Sequence, residues 1–346
     1  MAGPPAKLHL PFAQWPEADQ RLWASAVAED DPFADAPGAR LAKTTRHSRW
    51  MAWRHFLGFL TITEPEALQV APARRVTIDR VRDYARHLGE TNTPYSVACQ
   101  IDAFYGAARI LLPKQDWTWL RHMKKRLFTA APKPRRGPVI TSMQLLELGT
   151  ALMAECQVTR GQPVGLDTAI KFRDGLMIAW AAYLPLRHKN LAAIEIGRDL
   201  IQCAEKWCLI IPPEESKTRV PIEFEIPSEI EAYLATYLEI VRPRLLREAR
   251  CKALWVSAKG GPLSYSAVGP VFTRHTTKRL GIRVTPHDAR DAAATLWAVM
   301  APRQIGIARD LLAHSRVSTT NKYYNRAKGI EASRQQARLI AKIRRK

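Results

Sequence analysis

The stretch Trp207-Cys-Leu-Ile-Ile-Pro-Pro-Glu-Glu-Ser-Lys-Thr-Arg-Val-Pro-Ile-Glu-Phe-Glu-Ile226 decides the fold class. Two short strand-like runs, Trp207–Ile211 and Pro221–Ile226, flank a polar turn, which predicts a β-hairpin. Around it almost everything reads as helix. Downstream, Leu254-Trp-Val256 before Gly260-Gly261 predicts a third short strand. Helices are expected at 141–156, 166–182 and 228–246, then at 265–280, 286–300, 303–312 and 317–325, with a basic tail helix at 329–344. No strand–helix alternation runs through the chain, so a parallel sheet is not expected. The fold class is mainly α with a small antiparallel β-sheet (α+β).

Upstream of the hairpin, apolar residues recur at helical spacing in four places. Trp53, Phe56, Leu57 and Leu60 mark one helix. Thr77 is placed to cap a second that carries Ile78, Val81, Tyr84 and Leu88 and ends at Gly89. A third follows Pro94, with Val97, Ile101, Phe104, Tyr105 and Ala108, and a fourth runs from Trp117 to Phe128. The last is basic, with Lys124, Lys125 and Arg126 in sequence. Ala131-Pro-Lys-Pro-Arg-Arg-Gly-Pro138 is stiffened by proline and reads as a linker. The organisation expected is therefore an N-terminal segment over 1–40, partly ordered with Trp15 and Trp23 as anchors. A helical domain over 41–130, a basic Pro-rich linker over 131–138, a second domain over 139–326 and a basic tail over 327–346 follow.

Lysine and arginine number 53 against 32 acidic residues in 346, a formal charge of +21. That excess attracts a polyanion, and nucleic acid is the first partner to consider. No apolar run approaches the roughly 18 residues of a membrane-spanning helix. Nor does the N-terminus show a positive segment, apolar stretch and cleavage site. Five cysteines at irregular spacing, without a Cys-x-x-Cys, suggest reduced thiols and neither disulfides nor a metal site.

Several polar residues stand where chemistry is possible. In Thr285-Pro-His-Asp-Ala-Arg290, threonine suits an N-cap, proline the first helical position and Asp288 a capping-box acid. His287 and Arg290 then share one face of a first turn, where the helix N-terminus already favours an anion. Arg187, in Tyr183-Leu-Pro-Leu-Arg-His-Lys-Asn-Leu191, interrupts an apolar stretch and needs an anion, either a carboxylate of the chain or a ligand phosphate. Lys217 sits in the hairpin turn. In Leu311-Leu-Ala-His-Ser-Arg-Val-Ser-Thr-Thr-Asn-Lys-Tyr-Tyr324, His314 precedes a polar helix that ends near Tyr323. Taken singly, each has an ordinary structural explanation. Tyr323, for one, suits a core-packing aromatic as well as a nucleophile.

Taken in order, Arg187, Lys217, His287-x-x-Arg290, His314 and Tyr323 resemble the tyrosine recombinase (phage integrase) family. Leu254-Trp-Val-Ser257 and Gly260-Gly-Pro-Leu-Ser264 add to that resemblance. It covers the second domain; the first resembles the family's core-binding domain in size, helicity and charge. Implied is an enzyme that cuts and rejoins DNA through a 3′-phosphotyrosine on Tyr323, with Tyr324 the rival nucleophile. Arg187 and Arg290 would clamp the non-bridging oxygens and His314 donate to the phosphate. Lys217 would protonate the departing 5′-oxygen and His287 assist the phenol. Lys124, Lys125, Arg126, Lys133, Arg135 and Arg136 are the candidate DNA contacts. Neither cofactor nor metal is implied. The partners implied are double-stranded DNA and a homo-oligomer, a tetramer on synapsed sites, or related recombinase subunits. The setting implied is a bacterial cytoplasm at the nucleoid. Two rival readings use the same residues: a DNA-binding regulator without catalysis, and relaxation of DNA in the manner of type IB topoisomerases. The chain departs from the family pattern at Asn190, where an acid is usual, and at Ala313, where glycine is usual.

Overall fold

The computed structural model describes residues 8, 10–28, 36–132, 140–203, 205–247 and 250–300, with side chains to Leu296. The expected helices at 303–312, 317–325 and 329–344 lie outside the described residues. The chain divides into two compact units, Met1–Arg135 and Arg136–Lys346.

The first unit is helical: α1 (Glu17–Val27), α2 (Lys43–Thr63), α3 (Pro72–Arg75), α4 (Ile78–Gly89), α5 (Pro94–Leu111) and α6 (Thr118–Ala130). Local chemistry sets the helix starts. Thr77 accepts a bond from Arg80 N at 3.3 Å, and Thr93 accepts one from Ser96 N ahead of Pro94. Trp53, Phe56, Leu57 and Leu60 of α2 meet Val81, Tyr84, Ile101 and Phe104 in one core. Burying each such side chain contributes about 1.5–3 kcal/mol. Ile78, at the start of α4, stays half exposed. Trp15 and Trp23 belong to the same core. Beneath them Asp19, wholly buried, accepts from Arg75 at 2.6 Å and from Trp53 Nε1 at 2.8 Å. Arg75 spends its other donors on the carbonyls of Ala67, Leu68 and Val70. No charge is left bare there.

The second unit begins with α7 (Ser142–Ala154) and α8 (Leu166–Tyr183). A reciprocal cap between Thr141 and Gln144 starts α7. The two helices cross backbone to backbone: a Cβ on Gly149 would lie 2.5 Å from Gly175 O, and one on Gly175 would lie 2.7 Å from Gly149 O. Only glycine fits at that crossing. After α9 (His188–Ala192) comes a three-stranded antiparallel sheet of β1 (Leu200–Cys203), β2 (Lys206–Ile211) and β3 (Ile222–Glu225), in the order β1-β2-β3. The hairpin pairs Leu209 with Phe224 and Ile211 with Ile222, and buries Leu209, Ile211 and Ile222.

The sheet differs from expectation at both edges. Its third strand is Leu200–Cys203, too short to show a periodicity of its own. The 254–256 run makes only an isolated bridge, Val256 with Pro262, beside a second between Glu195 and the preceding Ala253. Its residues serve as core instead: Trp255 Nε1 donates to Leu191 O, and Leu254 O accepts from the buried Tyr237 hydroxyl. The single helix expected at 228–246 is also divided. It comprises α10 (Ser228–Thr236), a π-helical turn at Tyr237–Val241 and α11 (Arg242–Leu245). Pro243 has no N–H for the carbonyl four residues back, and the wider turn lies just before it. α12 (Tyr265–Leu280) closes at Gly281, whose φ of 68° suits a left-handed C-cap, and α13 (Pro286–Met300) follows. α13 packs on α8 and α7.

Candidate active site

Four segments of the second unit carry the sequence-predicted residues, and specific bonds connect three of them. α8 ends at Tyr183, and the buried Leu184, Pro185 and Leu186 lead to Arg187, the N-cap of α9. Leu184 and Leu186 face the core, so Arg187 emerges half-buried at its edge. Burial pulls its guanidinium below the ordinary arginine value. The Trp255 bond to Leu191 O fixes α9 from beneath.

Lys217 lies in the loop between β2 and β3. A 3₁₀ turn at Pro213–Glu215 leads into a tight turn closed by Arg219 N donating to Ser216 O at 3.0 Å. Arg219 adopts a φ of 53°, in the left-handed region that a non-glycine residue seldom occupies. Ser216 is buried and Lys217 exposed, so the turn presents the ammonium outward. Asn190 ties this loop to α9: its Nδ2 donates to Glu215 O at 3.4 Å. Arg198 reaches the same residue from the other side, 3.6 Å from Glu215 Oε2 and 2.7 Å from Asp199.

The start of α13 is the predicted capping box. Thr285 N and Oγ1 donate to Asp288 Oδ2 at 2.8 and 2.7 Å, and Asp288 N returns a bond to Thr285 Oγ1. His287 projects outward with 77% of its side chain exposed, 4.0 Å from Asp291. Arg290 is buried, and its Nη1 donates to Pro185 O at 2.5 Å. Pro185 stands two residues before Arg187, so one guanidinium anchors the turn that carries the other. Two arginines, a turn lysine and a helix N-terminus therefore share one connected scaffold, each contributing a positive charge or partial charge. An anion is the complement it fits.

His314 and Tyr323 lie outside the described residues, as do the linker cations Lys133, Arg135 and Arg136. In the first unit, Lys125 and Arg126 are exposed and line a 440 Å³ pocket with His122 and Thr129. Lys124 is turned differently. Its ammonium lies 2.5 Å from Asp102 and 4.6 Å from the centre of the Tyr105 ring, so it holds α6 to α5.

Three features escaped the sequence reading. His188 stacks on Tyr265 with ring centres 4.0 Å apart, and its Nε2 lies 2.8 Å from Tyr265 O, joining α9 to α12. Asn190 bridges to the hairpin loop. Within α8, the wholly buried Asp174 accepts from Arg173 at 2.6 Å, from His275 at 3.0 Å and from Arg274. Burial raises the Asp174 carboxyl, but the His275 bond and the guanidiniums of Arg173 and Arg274 outweigh it and leave it below the usual carboxylate value. Arg173, Arg274, Lys278 and Arg283 line a 780 Å³ cavity beside this cluster. The signal was present as Arg173-Asp174, a charged pair inside an apolar helix.

Comparison with known proteins supplies the context. Tyrosine recombinase XerD of Staphylococcus aureus is 32% identical over 92 residues, which span 26% of this chain and 31% of that protein. XerD of Staphylococcus epidermidis matches to the same extent. The chain thus aligns with about a third of the length of these curated relatives. Among solved structures, XerH site-specific recombinase bound to its difH substrate superposes with a TM-score of 0.58 at 14% identity, covering 96% of this chain and 99% of that one. The Tn1549 transposon integrase in complex with a circular intermediate DNA gives 0.53 at 13% identity, covering 91% and 98%. At those identities the likeness is one of fold. The Phage integrase family model matches residues 150–329, more than half of the sequence and every segment of the site described above, and the chain belongs to that family, the tyrosine recombinases.

Proposed function

We propose that the chain is a site-specific recombinase or integrase that cleaves double-stranded DNA and reseals it through a 3′-phosphotyrosyl link on Tyr323. The observation that carries this reading is the bond from Arg290 to Pro185 O, which couples two guanidiniums beside a capped helix N-terminus. Attack by a phenolic oxygen on a phosphodiester builds negative charge on the non-bridging oxygens, and Arg187 and Arg290 are the groups to stabilise it. Preorganised donors of this kind contribute about 3–4 kcal/mol each. His314 donates to the same phosphate. A free phenol has a pKa near 10, so the Tyr323 proton must leave as the P–O bond forms, and His287 is the proposed base to take it. As the P–O5′ bond breaks, Lys217 delivers a proton and the 5′-hydroxyl departs. The bond energy is kept in the phosphotyrosine, and attack by a 5′-hydroxyl on it restores the phosphodiester and releases the phenol.

The relatives support the partners as well. The XerH and Tn1549 structures hold DNA, and a chain of charge +21 suits the same ligand. Lys125 and Arg126 of α6, with Lys133, Arg135 and Arg136, are the proposed backbone contacts, whereas Lys124, engaged with Asp102, is not among them. A homo-oligomer, tetrameric on synapsed sites, is the proposed working form. Among the described residues no helix is long and apolar enough to cross a membrane, and action on cytoplasmic, nucleoid DNA is the setting proposed.

A nicked suicide substrate tests the reading, because loss of the short leaving strand traps the adduct. The wild-type chain should become covalently attached to DNA. Tyr323→Phe should bind the same DNA with unchanged affinity and give no adduct. An adduct that survives in Tyr323→Phe moves the nucleophile to Tyr324, and no adduct in the wild type, on DNA it binds, points to a regulator.

A further inference from the structure

We infer that Asn190 is a positioning residue whose side-chain amide sets the loop that presents Lys217. The inference rests on the reading of Lys217 as the general acid. Asn190 is 6% exposed, in the helix that Arg187 caps, and its Nδ2 donates to Glu215 O, two residues before Lys217. From Glu215 the chain is tightly constrained. Ser216 is buried, its hydroxyl lies 3.1 Å from that of Thr218, and the turn closes through Arg219 N to Ser216 O. A fixed Glu215 carbonyl therefore fixes the turn at whose second position Lys217 stands.

The chemistry of the contact selects an amide. Glu215 offers a carbonyl oxygen, which needs a donor, and an ionised carboxylate has none. An aspartate of the same shape would face that carbonyl oxygen to oxygen at a buried position. Asn190 at this place is a functional donor, and the loop it holds is matched to it. The Arg198 contact with the Glu215 carboxylate holds the same residue through its exposed side chain, and leaves the carbonyl to Asn190.

The test compares adduct formation by the full chain on two suicide substrates, one with the natural 5′-oxygen leaving group and one with a 5′-bridging sulfur. A thiolate leaves without a proton, so sulfur relieves only a defect in general acid catalysis. Lys217→Ala should slow cleavage of the oxygen substrate about 100-fold or more and recover on sulfur. Asn190→Asp should slow the oxygen substrate about tenfold, the scale of one lost buried bond, and should also recover on sulfur. Asn190→Ser, which adds no charge, guards against misfolding and should follow Asn190→Asp in milder form. Equal slowing of Asn190→Asp on both substrates, or none on either, overturns the inference while leaving Lys217 as the acid. Failure of sulfur to rescue Lys217→Ala removes the general-acid reading and the inference with it.

Discussion

Arg290 Nη1 donates to the carbonyl of Pro185 at 2.5 Å across 105 residues of chain, so the first turn of α13 and the turn that carries Arg187 form one unit. A guanidinium held in this way is oriented before any ligand arrives, and preorganisation is what gives a donor its effect on a developing charge.

Arg290→Ala is expected to lower adduct formation about 100- to 1000-fold while DNA affinity changes little. Arg290→Lys keeps the charge but loses the planar fork, and should recover only part of that loss. Because Arg290 also anchors the Arg187 turn, the Arg187→Ala and Arg290→Ala effects should not add. Single-turnover cleavage by the two single variants and the double variant measures the coupling, expected at about 0.5–3 kcal/mol. Strict additivity would mean that the bond to Pro185 transmits nothing.

Much of this scaffold was legible because its signals are local. Thr285, Pro286 and Asp288 specify a helix start within four residues, and the capping box forms with both halves present. The hairpin was legible for the same reason, since its two strands and its turn are contiguous. What the sequence concealed depends on long-range contact. Leu200–Cys203 is a strand only because β2 lies beside it, and Leu254–Val256 fails to be one because Trp255 and Leu254 are engaged with Leu191 and Tyr237. Lys124 reads like Lys125 and Arg126 until Asp102, on another helix, is seen beneath it. Asn190 reads as a missing acid until its acceptor, Glu215 O, is in view.

Asp174 gives the second unit a pH limit. Its carboxyl is held below the ordinary value in the fold, net of a burial effect that acts the other way. A depressed folded pKa stabilises fully above the unfolded value of about 3.9, and that stability is lost as pH falls through the lower, folded value. Unfolding midpoints in urea should therefore decline below about pH 4. Asp174→Asn should be less stable at pH 7, because Arg173 is buried with no carboxylate beside it, and should show a shallower acid decline. Parallel pH profiles for the two proteins would show that the cluster around Asp174 contributes nothing to acid sensitivity.

The three basic residues of α6 should separate by salt dependence. Each phosphate contact released adds about 0.9 to the slope of log K against log salt for duplex DNA. Lys125 and Arg126 are exposed and unbonded to any described carboxylate, so replacing both with glutamine should reduce the slope by nearly two. Lys124 already spends its charge on Asp102 and the Tyr105 ring. Lys124→Gln should therefore leave the slope nearly unchanged and lower the stability of the first unit instead, within about 1 kcal/mol for a partly exposed pair. Binding titrations from low to moderate salt, alongside thermal unfolding of the same variants, distinguish the two roles. A slope that falls equally for Lys124→Gln would show that its ammonium abandons Asp102 for a phosphate when DNA binds.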